Sequence, residues 1–191
     1  VGKKARFFRY AIFSALLLSV TTAFSSFKDV YMQFVGVPII YYGIFWGLSR
    51  VIISAVLPFN GRIKAALTYH QFLGIKLLAA IAIYTGLAII TTPLAAVVAM
   101  VLIPAFNWST NQAEKHYLFD IIGPSQFKAT LLSVLMLFYG LIRAAGVFLL
   151  GLWIVVDQYN EAFILLTMLF VVIAIPFYLY LLLTKRHTAS A

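Results

Sequence analysis

Long apolar runs separated by short polar punctuation organise this sequence. Six of them read as helices over about 7–27, 37–57, 73–91, 93–113, 129–156 and 162–184. Each holds close to the ~20 apolar residues a helix needs to cross a bilayer. The joints are equally plain. A basic lead-in to Arg9 precedes the first run, and Lys28 to Pro38 forms a loop. Pro58-Phe59-Asn60-Gly61-Arg62 breaks the second run, Thr91-Thr92-Pro93 makes a tight turn, and Lys115 to Lys128 is a polar connection punctuated by Gly123-Pro124. Asp157 to Glu161 closes the fifth run. The pattern predicts an all-α polytopic membrane protein of six transmembrane helices.

Inside the runs, polar and small residues fall at helical spacing. Ser19, Thr22 and Ser26 stand at i, i+3 and i+7, which puts three hydroxyls on one face of the first span. In lipid such a stripe faces other helices or a watery path. Gly43 and Gly47 in the second span, and Gly140 and Ala144 in the fifth, are small-xxx-small pairs that permit close helix contact. The third span is almost featureless, which places it on the lipid-facing periphery. Pro104 predicts a kink in the fourth. Beyond it Asn107, Asn111 and Glu114 share a face, and polar side chains at this depth belong inside a bundle or along a cavity. His116 and Asp120 read as solvated loop residues.

Two arginines change the picture. Phe138-Tyr139-Gly140-Leu141-Ile142-Arg143 carries a guanidinium about 14 residues, or ~20 Å, into its apolar run. That is near the middle of a ~30 Å hydrocarbon core, where an unpartnered charge costs a few kcal/mol or more. Phe45-Trp46-Gly47-Leu48-Ser49-Arg50 echoes the stretch at a similar depth in the second span. The echo predicts two related halves. No carboxylate stands at comparable depth: Asp29, Asp120, Asp157 and Glu161 fall in or beside loops, and Glu114 near a helix end. Partners for the arginines are then carboxylates from elsewhere, backbone and water, or an anionic solute.

Composition agrees. The chain is 64% hydrophobic and 10% charged, against about a quarter charged in a soluble domain. The net charge of +9 does not signal nucleic acid, because the cations sit at the ends of the apolar runs. Lys3, Lys4, Arg6, Arg9, Arg62, Lys64, Lys76, Lys115, Lys128, Lys185 and Arg186 cluster toward the side of the termini, with Lys28 opposite. By the positive-inside rule both termini are expected in the cytoplasm. There is no cysteine for disulfides or thiolate metal sites. No nucleophile, paired-acid or H-E-x-x-H pattern points to an intramembrane enzyme, so catalytic residues, metal and cofactor are all expected to be absent. The first run lacks a small-residue cleavage site, and a start at Val1 is what a fragment or processed product would show.

Pro124-Ser125-Gln126-Phe127-Lys128-Ala129-Thr130-Leu131-Leu132-Ser133 resembles the P-x-x-x-R-A-T-x-x-S start of the eleventh helix in major facilitator superfamily transporters, with Lys128 in place of arginine. Gly36-Val37-Pro38-Ile39-Ile40-Tyr41-Tyr42-Gly43-Ile44-Phe45-Trp46 is similar to the start of the eighth helix, and Arg143 falls where many members carry arginine. After that helix, Asn60-Gly61-Arg62-Ile63-Lys64 keeps the basic character of the family's D-R-x-G-R-like loop but lacks its acid. The resemblance implies that residues 1–191 are the C-terminal six of twelve helices, built as two inverted three-helix repeats. It implies secondary transport of a small solute, anionic or zwitterionic, by alternating access in the cell membrane. Arg50, Arg143, Asn107, Asn111, Ser19, Thr22 and Ser26 would flank the path, and an N-terminal six-helix half or a second copy would complete it. A stand-alone six-helix binding subunit, or a homodimeric half-transporter, is the alternative.

Overall fold

The computed structural model of the chain describes residues 3–89, 92–123, 127–154 and 159–189. Thr91, residues 124–126 of the helix-start motif, and Val156 and Asp157 lie outside them. The described residues form eight α-helices and no strand: α1 (Lys3–Ser25), α2 (Lys28–Phe34), α3 (Tyr42–Val56), α4 (Asn60–Ala66), α5 (Tyr69–Ile89), α6 (Pro93–Ile122), α7 (Lys128–Ile154) and α8 (Tyr159–Ala189). The short α2 and α4 prolong the first two apolar segments. Six segments result, Phe7–Phe34, Ile39–Ala66, Tyr69–Ile89, Pro93–Ile122, Lys128–Ile154 and Tyr159–Thr184, each long and apolar enough to cross a membrane.

α1 is the axis of the bundle. Small side chains recur along it, and Ala11, Ser14, Ala15, Ser19 and Ala23 are all buried. Without a hydrophobic drive between helices in lipid, such residues let neighbours approach until van der Waals contact is dense. α7 comes closest: a Cβ placed at Gly146 would stand 3.2 Å from the Cβ of Ala23. α6 and α8 cover other sides of α1, α3 packs on α6, and α5 packs on α8. The α5–α8 seam turns on Gly74, where an added Cβ would fall 2.5 Å from the Tyr178 hydroxyl. That hydroxyl donates to the carbonyl of His70 at 3.1 Å. Tyr84, also on α5, donates to the carbonyl of Val20 at 2.6 Å.

Several expectations change. α6 does not end near residue 113 but runs through Pro104 to Ile122, so His116 and Asp120 are helical. The reason is that residues 114–122 have a surface to pack on. Glu114, Tyr117 and Leu118 are buried, and Tyr117 donates to the carbonyl of Leu67 at 2.9 Å. α5 begins earlier than the apolar run and is not featureless. It buries one stripe from His70 through Lys76, Ala80 and Tyr84 to Leu87. His70, in the first turn of α5, is buried, and its ring lies 2.8 Å from the Tyr10 hydroxyl.

The small-residue pairs also differ from expectation. Gly43, Gly47 and Gly140 have no atom within 4 Å of where a Cβ would be, and Ala144 is exposed. α3 buries only Ser49 and Ile53, and α7 only Leu135 and Leu150. These two helices therefore present unoccupied faces where close helix contact was anticipated.

Candidate functional site

A partly open cavity of about 450 Å³ lies between α1, α3, α6 and α7. α1 contributes Leu18, Thr22 and Ser25, and α3 contributes Trp46. From α6 come Pro104, Asn107, Trp108, Asn111 and Lys115, and from α7 Met136, Tyr139 and Arg143. The spacing of Asn107, Asn111 and Lys115 at successive i+4 steps lays three polar groups along one α6 stripe ~12 Å long. The same logic puts Met136, Tyr139 and Arg143 on one side of α7, at i, i+3 and i+7.

A hydrogen-bonded seam fixes the α1–α7 wall. Ser19 donates to the carbonyl of Tyr139 at 2.9 Å. Tyr139 donates its hydroxyl to Thr22 Oγ1 at 3.2 Å, while Thr22 donates to the carbonyl of Leu18 at 2.7 Å. One turn on, Arg143 Nη2 donates to Ser26 Oγ at 3.2 Å. The hydroxyl stripe read from the sequence therefore faces α7, and Arg143 takes a neutral partner from it. Ser19 is fully buried behind the wall and Ser26 sits in the turn after α1, so neither lines the cavity; Thr22 does.

Arg50 does not line it either. Its guanidinium carbon lies 5.3 Å from the centre of the Trp108 ring, within cation–π range, and Trp108 forms part of the wall. Both arginine residues are exposed in the isolated chain. Among the described residues the close ion pairs are Lys28–Asp29 at 3.0 Å, Lys64–Asp120 at 2.7 Å and Lys76–Glu114. None involves Arg50, Arg143 or Lys115. The wall thus carries two formal positive charges, on Arg143 and Lys115, and no carboxylate.

Asn107 is the least satisfied wall residue. It is 2% exposed, yet neither its amide nitrogen nor its amide oxygen has a hydrogen-bond partner. Its neighbour Asn111 also lines the cavity.

No family model, no curated protein and no solved structure matches this chain.

Four side chains bearing on the site escaped the sequence reading. Trp46, Trp108 and Tyr139 line the wall, although aromatics at such positions are indistinguishable from ordinary apolar filling. The polar turn of the sequence at Lys115 predicts a loop, and the longer α6 carries it back to the cavity. Lys76 and Glu114 form a separate centre. The sequence shows Lys76 only as one of the cations toward the terminal side, and Glu114 only as a residue near a helix end. Both side chains are 1% exposed and joined by an ion pair between α5 and α6. Tyr69 donates to the second carboxylate oxygen at 3.2 Å. Its ring stacks on Tyr117, with 5.1 Å between centroids and 11° between planes. Among the described residues there is no cluster of His, Asp or Glu suited to a metal ion.

Proposed function

We propose that this chain is one six-helix half of a secondary transporter of the major facilitator type, moving a small anionic or zwitterionic solute by alternating access. The observation that carries the reading is the cavity of about 450 Å³ walled by Arg143 and Lys115 without a carboxylate. Its size falls in the ordinary range for small-molecule sites. The pattern of helix packing supports two inverted repeats. The first long helix of each triplet packs on the middle helix of the other, α1 on α7 and α6 on α3, while the third helices α5 and α8 pack together. Exchange of the triplets leaves that pattern unchanged, as a pseudo-two-fold axis requires.

The unoccupied faces of α3 and α7 support a second body, either an N-terminal six-helix half or another copy. Gly47 and Gly140 are the matching glycines of the two echoed stretches, and both face open space. In the bilayer of the cell membrane, the distribution of cations favours termini on the cytoplasmic side.

Proteoliposome uptake tests the reading. The chain, together with a second half where one is encoded with it, is reconstituted and supplied with radiolabelled organic acids, amino acids and neutral sugars. Arg143→Gln should abolish uptake of the acid or zwitterion while leaving the melting temperature unchanged. Undiminished uptake by that variant removes the arginine from the mechanism.

A further inference from the structure

Arg143 and Lys115 stand at opposite ends of the cavity. α7 runs beside α1 in register, with Tyr139 bonded to Thr22 and Arg143 to Ser26 one turn on. At its other end the cavity adjoins a cleft of about 20 Å³, and Leu18, Lys115 and Tyr139 line both. Into that cleft the lining of α1 steps back to Ser14 while that of α6 advances to Leu118. α6 therefore runs against α1, and Lys115 lies level with Ser14 to Leu18. From there to Ser26 is roughly 15 Å at 1.5 Å per residue. The Lys115 ammonium leans back one turn to donate to Gln112 Oε1 at 3.4 Å. That leaves the two charges about 10 Å apart along the helix axes.

Neither cation forms an ion pair among the described residues. Each has a neutral acceptor, Ser26 or Gln112. Between them Leu18 and Met136 are apolar, and Thr22 and Tyr139 already bond to each other. The middle of the cavity thus suits an alkyl chain.

We infer that the cavity binds an elongated dicarboxylate whose anionic groups stand about 10 Å apart, one on Arg143 and one on Lys115. The inference rests on the anion-site reading above and deepens it, since it selects a dianion over a monoanion or a zwitterion. A single carboxylate spans too little to reach both cations. A zwitterion of the right length sets its ammonium against the second cation, and the wall holds no carboxylate to offset that repulsion. A dianion gives each cation a charge-assisted hydrogen bond, and the guanidinium can hold both oxygens of one carboxylate.

Isothermal titration calorimetry of the purified chain in nanodiscs of neutral lipid, with empty nanodiscs subtracted, tests this with four probes. These are nonanedioate, whose carboxyl carbons lie about 10 Å apart when extended, nonanoate, 9-aminononanoate and succinate. At about pH 8 the carboxylates are ionised and the amine is protonated. Nonanedioate should bind at least about tenfold tighter than each of the others. Arg143→Gln and Lys115→Gln should each bring nonanedioate down to about the affinity of nonanoate. Lys115→Glu should reverse the order, so that 9-aminononanoate outbinds nonanedioate. A variant that merely misfolds cannot produce that reversal.

Nonanoate, 9-aminononanoate or succinate binding the unaltered chain as tightly as nonanedioate overturns the inference, as does failure of every probe at millimolar concentration. So does a Lys115→Gln variant that keeps full preference for the diacid. Diacid-selective binding without proteoliposome uptake leaves the inference standing and defeats the transport reading. Uptake of short or singly charged acids with no preference for the long diacid keeps the transport reading and defeats the two-ended site.

Discussion

Two sets of charges within the helices meet opposite fates. Between α5 and α6, Lys76 and Glu114 close on each other at 1% exposure, with Tyr69 satisfying the second carboxylate oxygen. Around the cavity, Arg143 has Ser26 and Arg50 has a tryptophan face, and among the described residues neither forms an ion pair with a carboxylate. The first set is complete within the chain and sealed. The second is incomplete and open. A charge that finds its counter-ion in the fold becomes part of the scaffold, because breaking the pair leaves an unpaired buried ion. A charge left with neutral partners can still exchange water or solute for company, and such a group is the one available for recognition.

The largest test of this contrast is Glu114→Ala. It strands the ammonium of Lys76 in the bundle, and the expected loss is about 3–5 kcal/mol of stability, read from the melting temperature in nanodiscs. Arg143→Gln, which removes a charge that is not sealed, should change stability by less than about 1 kcal/mol. Equal losses in the two variants would erase the distinction. Next comes the double variant Lys76→Met with Glu114→Leu, which swaps the pair for apolar volume. Such replacements are commonly neutral or stabilising, so most of the loss seen in Glu114→Ala should be recovered. A double variant as unstable as the single one would mean that the tyrosine contact, not the ion pair, carries the seam.

Smaller effects sharpen the comparison from the open side. Arg50→Gln removes a cation–π contact worth about 0.5–1 kcal/mol at an exposed site. It should shift the emission of Trp108, measured with Trp46 and Trp153 replaced by phenylalanine, and leave the melting temperature within a degree or two. An unchanged spectrum would remove Arg50 from the cavity rim.

The contrast also marks what could be read in advance. Apolar length alone located all six helices long and apolar enough to cross a membrane, because a crossing helix has to satisfy its backbone internally and present apolar side chains over a fixed distance. The start of α6 at Pro93 and its stop at Gly123 fall on the expected punctuation, whereas α5 starts earlier and α6 ends later than their apolar runs. The face bearing Asn107 and Asn111, and the side of α7 bearing Arg143, followed from helical spacing, and both reached the cavity. The hydroxyl stripe was found too, though only Thr22 of its members lines the space.

The early end expected for α6 has one cause. Glu114, Lys115, His116 and Asp120 lie where the sequence turns polar, and polarity near the end of a run reads as a loop. Whether such a segment stays helical depends on the surface beside it. Here α4 and α5 supply that surface, through the Lys64–Asp120 pair at 2.7 Å and the Tyr69–Tyr117 stack. A lone lysine in an apolar stretch carries no sign of the glutamate that stands 38 positions later.

By itself, then, the sequence determined the number of apolar helices, their approximate limits and the helical faces that bear polar groups, since these depend on residues within one or two turns of each other. The tertiary structure alone decided which charges are matched and which are not. Pairing depends on distances between helices remote in sequence, and local periodicity holds no record of them. That is why Lys76 and Glu114 form a sealed pair, while Arg143, deeper within its own helix, stands at an open wall.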